Sequence, residues 1–110
     1  VVVSLDRAFT NLLDNAIGVS TPGSTIRIGA GVIEGWAWMA VGDQGPGLPE
    51  EPEAGRVGLG LSIVEQIALA HDGALVSFAG SGGKGTTMVI WLRTPEAKAP
   101  HPARSPFTAA

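Results

Sequence analysis

Asp43-Gln44-Gly45-Pro46-Gly47-Leu48-Pro49, and shortly after it Gly58-Leu59-Gly60-Leu61-Ser62-Ile63-Val64, are the runs on which the reading of this chain turns. The first is a carboxylate followed by a loop in which glycine and proline exclude regular structure. The second is a glycine turn leading straight into an apolar, helix-like segment. A short acidic link, Glu50 to Arg56, joins them. Glycines let backbone approach a ligand closely. A helix start offers unpaired N–H groups and the positive end of the helix dipole to an anion. Together these features suggest a nucleotide site, with the rest of the chain as its scaffold.

Working outward, Asp43 ends an apolar run, Trp36 to Val41, that reads as a strand. Ile26, Ile28, Ala30 and Val32 alternate with Arg27, Gly29 and Gly31 and read as a strand before it. Glu34-Gly35 makes the pair a hairpin. Upstream, Leu5, Phe9, Leu12, Leu13, Ala16 and Ile17 recur at helical spacing. This predicts a helix from Leu5 to about Ile17, capped by Ser4 and ended by Gly18, after a strand end at Val1 to Val3. Pro22-Gly23 marks a turn. Downstream, a helix runs from about Gly60 to Ala70 and ends at His71-Asp72-Gly73. Strands follow at Ala74 to Phe78 and Thr86 to Arg93, joined by the glycine turn 80–85. Strands in hairpins, with helices between the pairs, predict a two-layer α/β sandwich: a mixed, mostly antiparallel sheet with helices on one face.

The 110 residues make one domain the expectation. The folded part is placed at 1–95, and the Pro- and Ala-rich residues 96–110 are expected to be a disordered tail that buries little. A net charge of −3 gives no reason to expect nucleic-acid binding or direct membrane contact. There is no cysteine, so disulfides and thiolate metal sites are excluded. Val1 to Ser4 lacks the pattern of a signal peptide. No apolar run approaches the roughly 20 residues needed to span a bilayer.

Asn11 and Asn15 lie four apart, on one face of the first helix. Their carboxamide oxygens are hard, neutral ligands suited to a Mg²⁺ that keeps other positions for water and phosphate. They also fit pairing with neighbouring backbone. Asp43 is placed to accept a hydrogen bond from a base amino group, and it also fits an Asp that opens a turn. The Gly58-x-Gly60 run fails the dinucleotide fingerprint, because Ile63 stands where its third glycine belongs. Gly80 to Thr87 fails the P-loop pattern, because Gly85 follows Lys84 and a strand comes next. His71 has no second ligand at metal spacing.

Taken in order, Asn11-Leu12-Leu13-Asp14-Asn15-Ala16-Ile17, Asp43-x-Gly45-x-Gly47, Gly58-Leu59-Gly60-Leu61-Ser62-Ile63-Val64, His71-Asp72-Gly73 and Gly85-Thr86-Thr87 resemble the ATP-binding domain of sensor histidine kinases. That family sits in the ATPase superfamily of gyrase B, Hsp90 and MutL. The resemblance covers roughly Leu5 to Pro95. It implies a Bergerat-type sandwich, N-terminally truncated, that holds ATP and Mg²⁺ under a lid. Asn15 matches the Mg²⁺-binding asparagine, and Asn11 supports it one turn earlier. Asp43 matches the acid that recognises the adenine amino group. Gly45 and Gly47 match the loop beside base and sugar. Gly58, Leu59, Gly60 and Leu61 match the phosphate-side loop and helix start, and Thr86 a threonine near the adenine end.

The implied function is the catalytic ATP-binding domain of a two-component sensor histidine kinase, in the cytoplasm, with a parent that can be membrane-anchored. The γ-phosphate would go to a histidine on a separate dimerisation domain, in the same or a partner protomer, and thence to a response regulator. The alternative is a degenerate, non-catalytic nucleotide-binding or interaction module of the same fold. Two departures motivate it, and a third bears on autophosphorylation. Gly18 and Val19 stand where the family often has a cation and then an aromatic. The lid is short, with Arg56 its only cation. The acceptor-histidine hairpin is not among these residues, so this chain alone is not expected to autophosphorylate.

Overall fold

The computed structural model describes residues 2–44, 58–79 and 85–108. Helix α1 spans Val2–Val19, strand β1 Arg27–Ile33, β2 Trp36–Asp43, helix α2 Gly58–Ala70, β3 Ala74–Ala79 and β4 Thr86–Arg93; a 3-10 turn covers Pro106–Thr108. The strands form one sheet in the order β1-β2-β4-β3. Every neighbouring pair among the described residues is antiparallel.

Side-chain alternation divides the sheet into two faces. On the inner face Val41 and Ile90 join Ala8, Leu12 and Ala16 of α1 and Val64 and Ala68 of α2 in one buried cluster. Ala8, Leu12 and Ala16 recur every four residues, so they form a single stripe along α1. The small alanines of both helices suit close packing of α1 on α2.

The β1–β2 connection is the expected two-residue hairpin. Ile33 pairs with Trp36, and Glu34 and Gly35 both take positive φ, 52° and 83°. That matches the primed turn whose twist suits flanking strands. At the end of α2, Gly73 N–H donates to Ala68 O at 2.8 Å and Asp72 N–H to Leu69 O at 3.0 Å. Asp72 carries the left-handed φ of 57° in this helix-ending motif. Gly73 is needed for a different reason: a Cβ there would lie 1.6 Å from Trp91 O.

The helix starts differ from the sequence reading. Val2, Val3 and Ser4 belong to α1, so the expected strand end does not include Val2 and Val3, and Ser4 is not a cap. β-Branched residues cost only about 0.5 kcal/mol each in a helix, and extending α1 needs no partner strand. Gly18 does not end α1 either. The helix runs on to Val19, and Ser20 closes it, its hydroxyl donating to Ala16 O at 2.7 Å. α2 begins at Gly58, so both Gly58 and Gly60 lie inside its first turn.

The larger correction concerns the C-terminal residues. The segment after Arg93 lies across the outer face of the sheet, burying Ala97 and Ser105. Ala97 joins Trp36, Ala40, Val89 and Trp91 in a second core cluster, with Trp38 and Phe107 against it. Trp36 Nε1–H donates to Ala99 O at 2.8 Å. The His101 ring stacks on Trp91 at 5.7 Å and meets Trp36 edge-on at 5.6 Å. Composition alone marks this segment as tail-like. The cause of its order is the outer face, where alternation places all three tryptophans.

Candidate functional site

The sheet joins two of the expected residues directly. Asp43, the last residue of β2, is the register partner of Thr86, the first of β4. Both are half-buried and alternate onto the inner, helix-covered face. Gly85 sits against them with φ +79°. A Cβ there would fall 2.1 Å from Asp43 O, so only glycine allows this approach. Beyond Asp43, Gln44 Oε1 accepts a hydrogen bond from Thr25 N–H at 3.1 Å. This ties the loop after α1 to the end of β2. No spacing signal in the sequence marks Gln44 for that role.

Asn11 and Asn15 lie on α1, each one position before a buried residue of the core stripe, Leu12 and Ala16. Both are half-buried at the border of the packed face, while Asp14 is exposed. Gly58, Leu59, Gly60 and Leu61 make up the first turn of α2, whose N–H groups have no partner within the helix. Leu61 is half-buried against the main core. α1 packs on both α2 and β2, so the helix carrying the asparagines adjoins both other elements. Gly45, Gly47 and the acidic link 50–56 lie outside the described residues.

No group of three or more His, Cys, Asp or Glu suited to a metal occurs among the described residues. What α1 offers is two carboxamide oxygens at a half-buried border. That donor set suits a cation that draws its negative partners from bound phosphates. No described helix is long and apolar enough to cross a membrane.

Comparison with known proteins adds the following. The family described as histidine kinase-, DNA gyrase B- and HSP90-like ATPase matches residues 1–96. The signal transduction histidine-protein kinase/phosphatase MprB of Mycolicibacterium smegmatis is 35% identical over 115 residues, which cover 89% of this chain and 23% of that protein. The chain thus spans under a quarter of the length of such relatives. Full-length ShkA in complex with AMPPNP superposes with a TM-score of 0.66 at 28% identity, covering 92% of this chain and 23% of that one. The histidine kinase domain of the E. coli osmosensor EnvZ gives 0.63 at 27% identity, covering 94% and 71%.

Proposed function

Because the chain belongs to the histidine kinase-, DNA gyrase B- and HSP90-like ATPase family, we propose that it is the ATP-binding catalytic part of a two-component sensor histidine kinase. The observation that carries this reading is the Asp43–Thr86 pair, set at joined strand ends with Gly85 packed close against Asp43 O.

The Asp43 carboxylate accepts a hydrogen bond from the adenine amino group, with the Thr86 hydroxyl beside it. Gly45 and Gly47 leave room for base and sugar. The first turn of α2, Gly58 to Leu61, offers backbone N–H groups to the phosphates. Asn15, supported by Asn11, supplies oxygens for Mg²⁺. When bound, that ion neutralises charge on the phosphates. Phosphoryl transfer depends mainly on positioning and charge neutralisation. The bond from the γ-phosphorus to the ADP oxygen breaks as a bond to the acceptor imidazole nitrogen forms, and ADP leaves.

The acceptor belongs to a separate dimerisation domain, and the phosphoryl group passes on to a response regulator. His101 does not suit the acceptor role, since its ring lies between Trp36 and Trp91. The domain works in the cytoplasm, where ATP and response regulators are available.

The test supplies a separate histidine-hairpin domain together with γ-labelled ATP and Mg²⁺. Label on the hairpin histidine, lost in Asp43→Ala, is expected. A chain that binds ATP yet labels no histidine would instead be a nucleotide-binding module without transfer.

A further inference from the structure

We propose that Phe107, at the end of the C-terminal segment, is a positioning residue for the adenine end of the nucleotide site. This rests on the reading of Asp43 and Thr86 given above.

Phe107 lies on the outer face of the sheet, against Gly42, the residue before Asp43. Gly42 precedes Asp43, Thr87 follows Thr86, and Gly42 and Thr87 are register partners. Both are buried. A Cβ on Gly42 would come 3.3 Å from the Phe107 ring and 3.2 Å from Thr87 Oγ1. On the neighbouring strand a Cβ on Gly29 would come 2.7 Å from the same ring. Two missing side chains, on β1 and β2, therefore make the socket that Phe107 fills. Its walls are specific. Trp38 meets the ring edge-on at 6.0 Å, and the Arg27 guanidinium stands 4.5 Å from its centroid. Phe107 N–H donates to Ser105 Oγ at 3.2 Å, fixing the approach of the ring.

The backbone of Gly42 and Asp43 thus has close neighbours at two points. The Phe107 ring lies against Gly42 on the outer face, and Gly85 comes so near Asp43 O that only a residue without a Cβ fits there. Glycine has no side chain to resist backbone movement. With the socket empty, Gly42 gains freedom and the Asp43 carboxylate loses its fixed direction. Seating of Phe107 and binding of adenine are therefore coupled. Coupling between two sites acts equally in both directions. Adenine nucleotide must hold the C-terminal segment down as firmly as that segment holds Asp43 in place.

The experiment uses the 110-residue chain and three variants: Phe107→Ala, Phe107→Leu, and Val76→Ala as a control of reduced packing. Val76 belongs to the same outer cluster, but on β3, two strands away from β2. Calorimetry measures ADP, GDP and Mg·tripolyphosphate. Trypsin cleavage at the exposed Lys98 and Arg104 is timed with and without ADP. In Phe107→Ala, ADP affinity should fall about fivefold or more, the lower end of measured couplings. Tripolyphosphate binding should stay within twofold, Phe107→Leu should recover most of the loss, and Val76→Ala should keep the preference for ADP over GDP. ADP should slow cleavage of the unaltered chain and not of Phe107→Ala. If the unaltered chain binds no adenine nucleotide, the nucleotide-site reading fails and takes this inference with it. If it binds ADP and Phe107→Ala binds equally well, or loses ADP and tripolyphosphate in the same proportion, the inference alone is overturned.

Discussion

Gly85, against Asp43, and Gly18, near the end of α1, are both glycines, and physical chemistry assigns them opposite consequences. At Gly85 a side chain meets Asp43 O, and the φ of +79° adds left-handed strain. Gly85→Ala should cost at least about 1–2 kcal/mol from the backbone alone, read as a lower urea midpoint, with adenine affinity falling alongside. At Gly18 the space where a Cβ would go is open, and the residue lies within α1. Gly18→Lys should raise stability by about 0.5–1 kcal/mol through helix propensity. It also places a cation where the kinase family often has one, so Mg·ATP binding should tighten. A Gly18→Lys chain that is less stable would contradict the helical placement of residue 18. The sequence distinguishes these glycines only in part. Gly85 stands in a recognisable run with Thr86 and Thr87. Gly18 reads as a helix stop because the contribution of Ser20, a hydrogen bond to Ala16 O, is not visible in spacing.

Among the elements, α2, the β1–β2 hairpin and β4 are legible because each carries its own period and its own punctuation. The Glu34-Gly35 turn and the His71-Asp72-Gly73 stop are local signals, and the structure uses both as read. The start of α1 is not legible because β-branched residues fit a helix at small cost, and the C-terminal segment is not legible because long-range context decides it. Residues 94–108 have few apolar side chains of their own. Their order comes from tryptophans in β2 and β4 that are distant in sequence. Removal of residues 96–110 should therefore uncover Trp36 and Trp91, which are 5% and 0% exposed in the intact chain. Tryptophan emission should shift to the red and the thermal midpoint should fall. Unchanged emission would mean that the segment does not cover the outer face in solution.

For the whole molecule, the two faces of the sheet are closed by different means: two helices on one side, the C-terminal segment on the other. The cover on the helix side does not reach β1. Ile28 and Val32 point to that side and are 53% and 68% exposed, and Ile28 lines an open groove with Leu5, Phe9 and Met39. Among the described residues β1 is also an edge strand, and exposed apolar edges are prone to pair with other chains. The 110-residue chain should therefore self-associate at high concentration, and Val32→Lys should suppress this in light scattering. At this scale the family was readable because five weak signals occur in one order, although each alone fits ordinary turn or cap chemistry. The central claim is a site selective for adenine, built on Asp43. Its most direct test is calorimetric titration with a non-hydrolysable ATP analogue, with and without Mg²⁺ and beside the GTP analogue, for the unaltered chain and Asp43→Ala. The account predicts ATP-selective binding, strengthened by Mg²⁺. It also predicts that Asp43→Ala weakens the ATP analogue by about tenfold or more, the size of a hydrogen bond to a charged group, and leaves the GTP analogue unchanged. Equal affinity for both analogues, or ATP binding indifferent to Asp43→Ala, would contradict it.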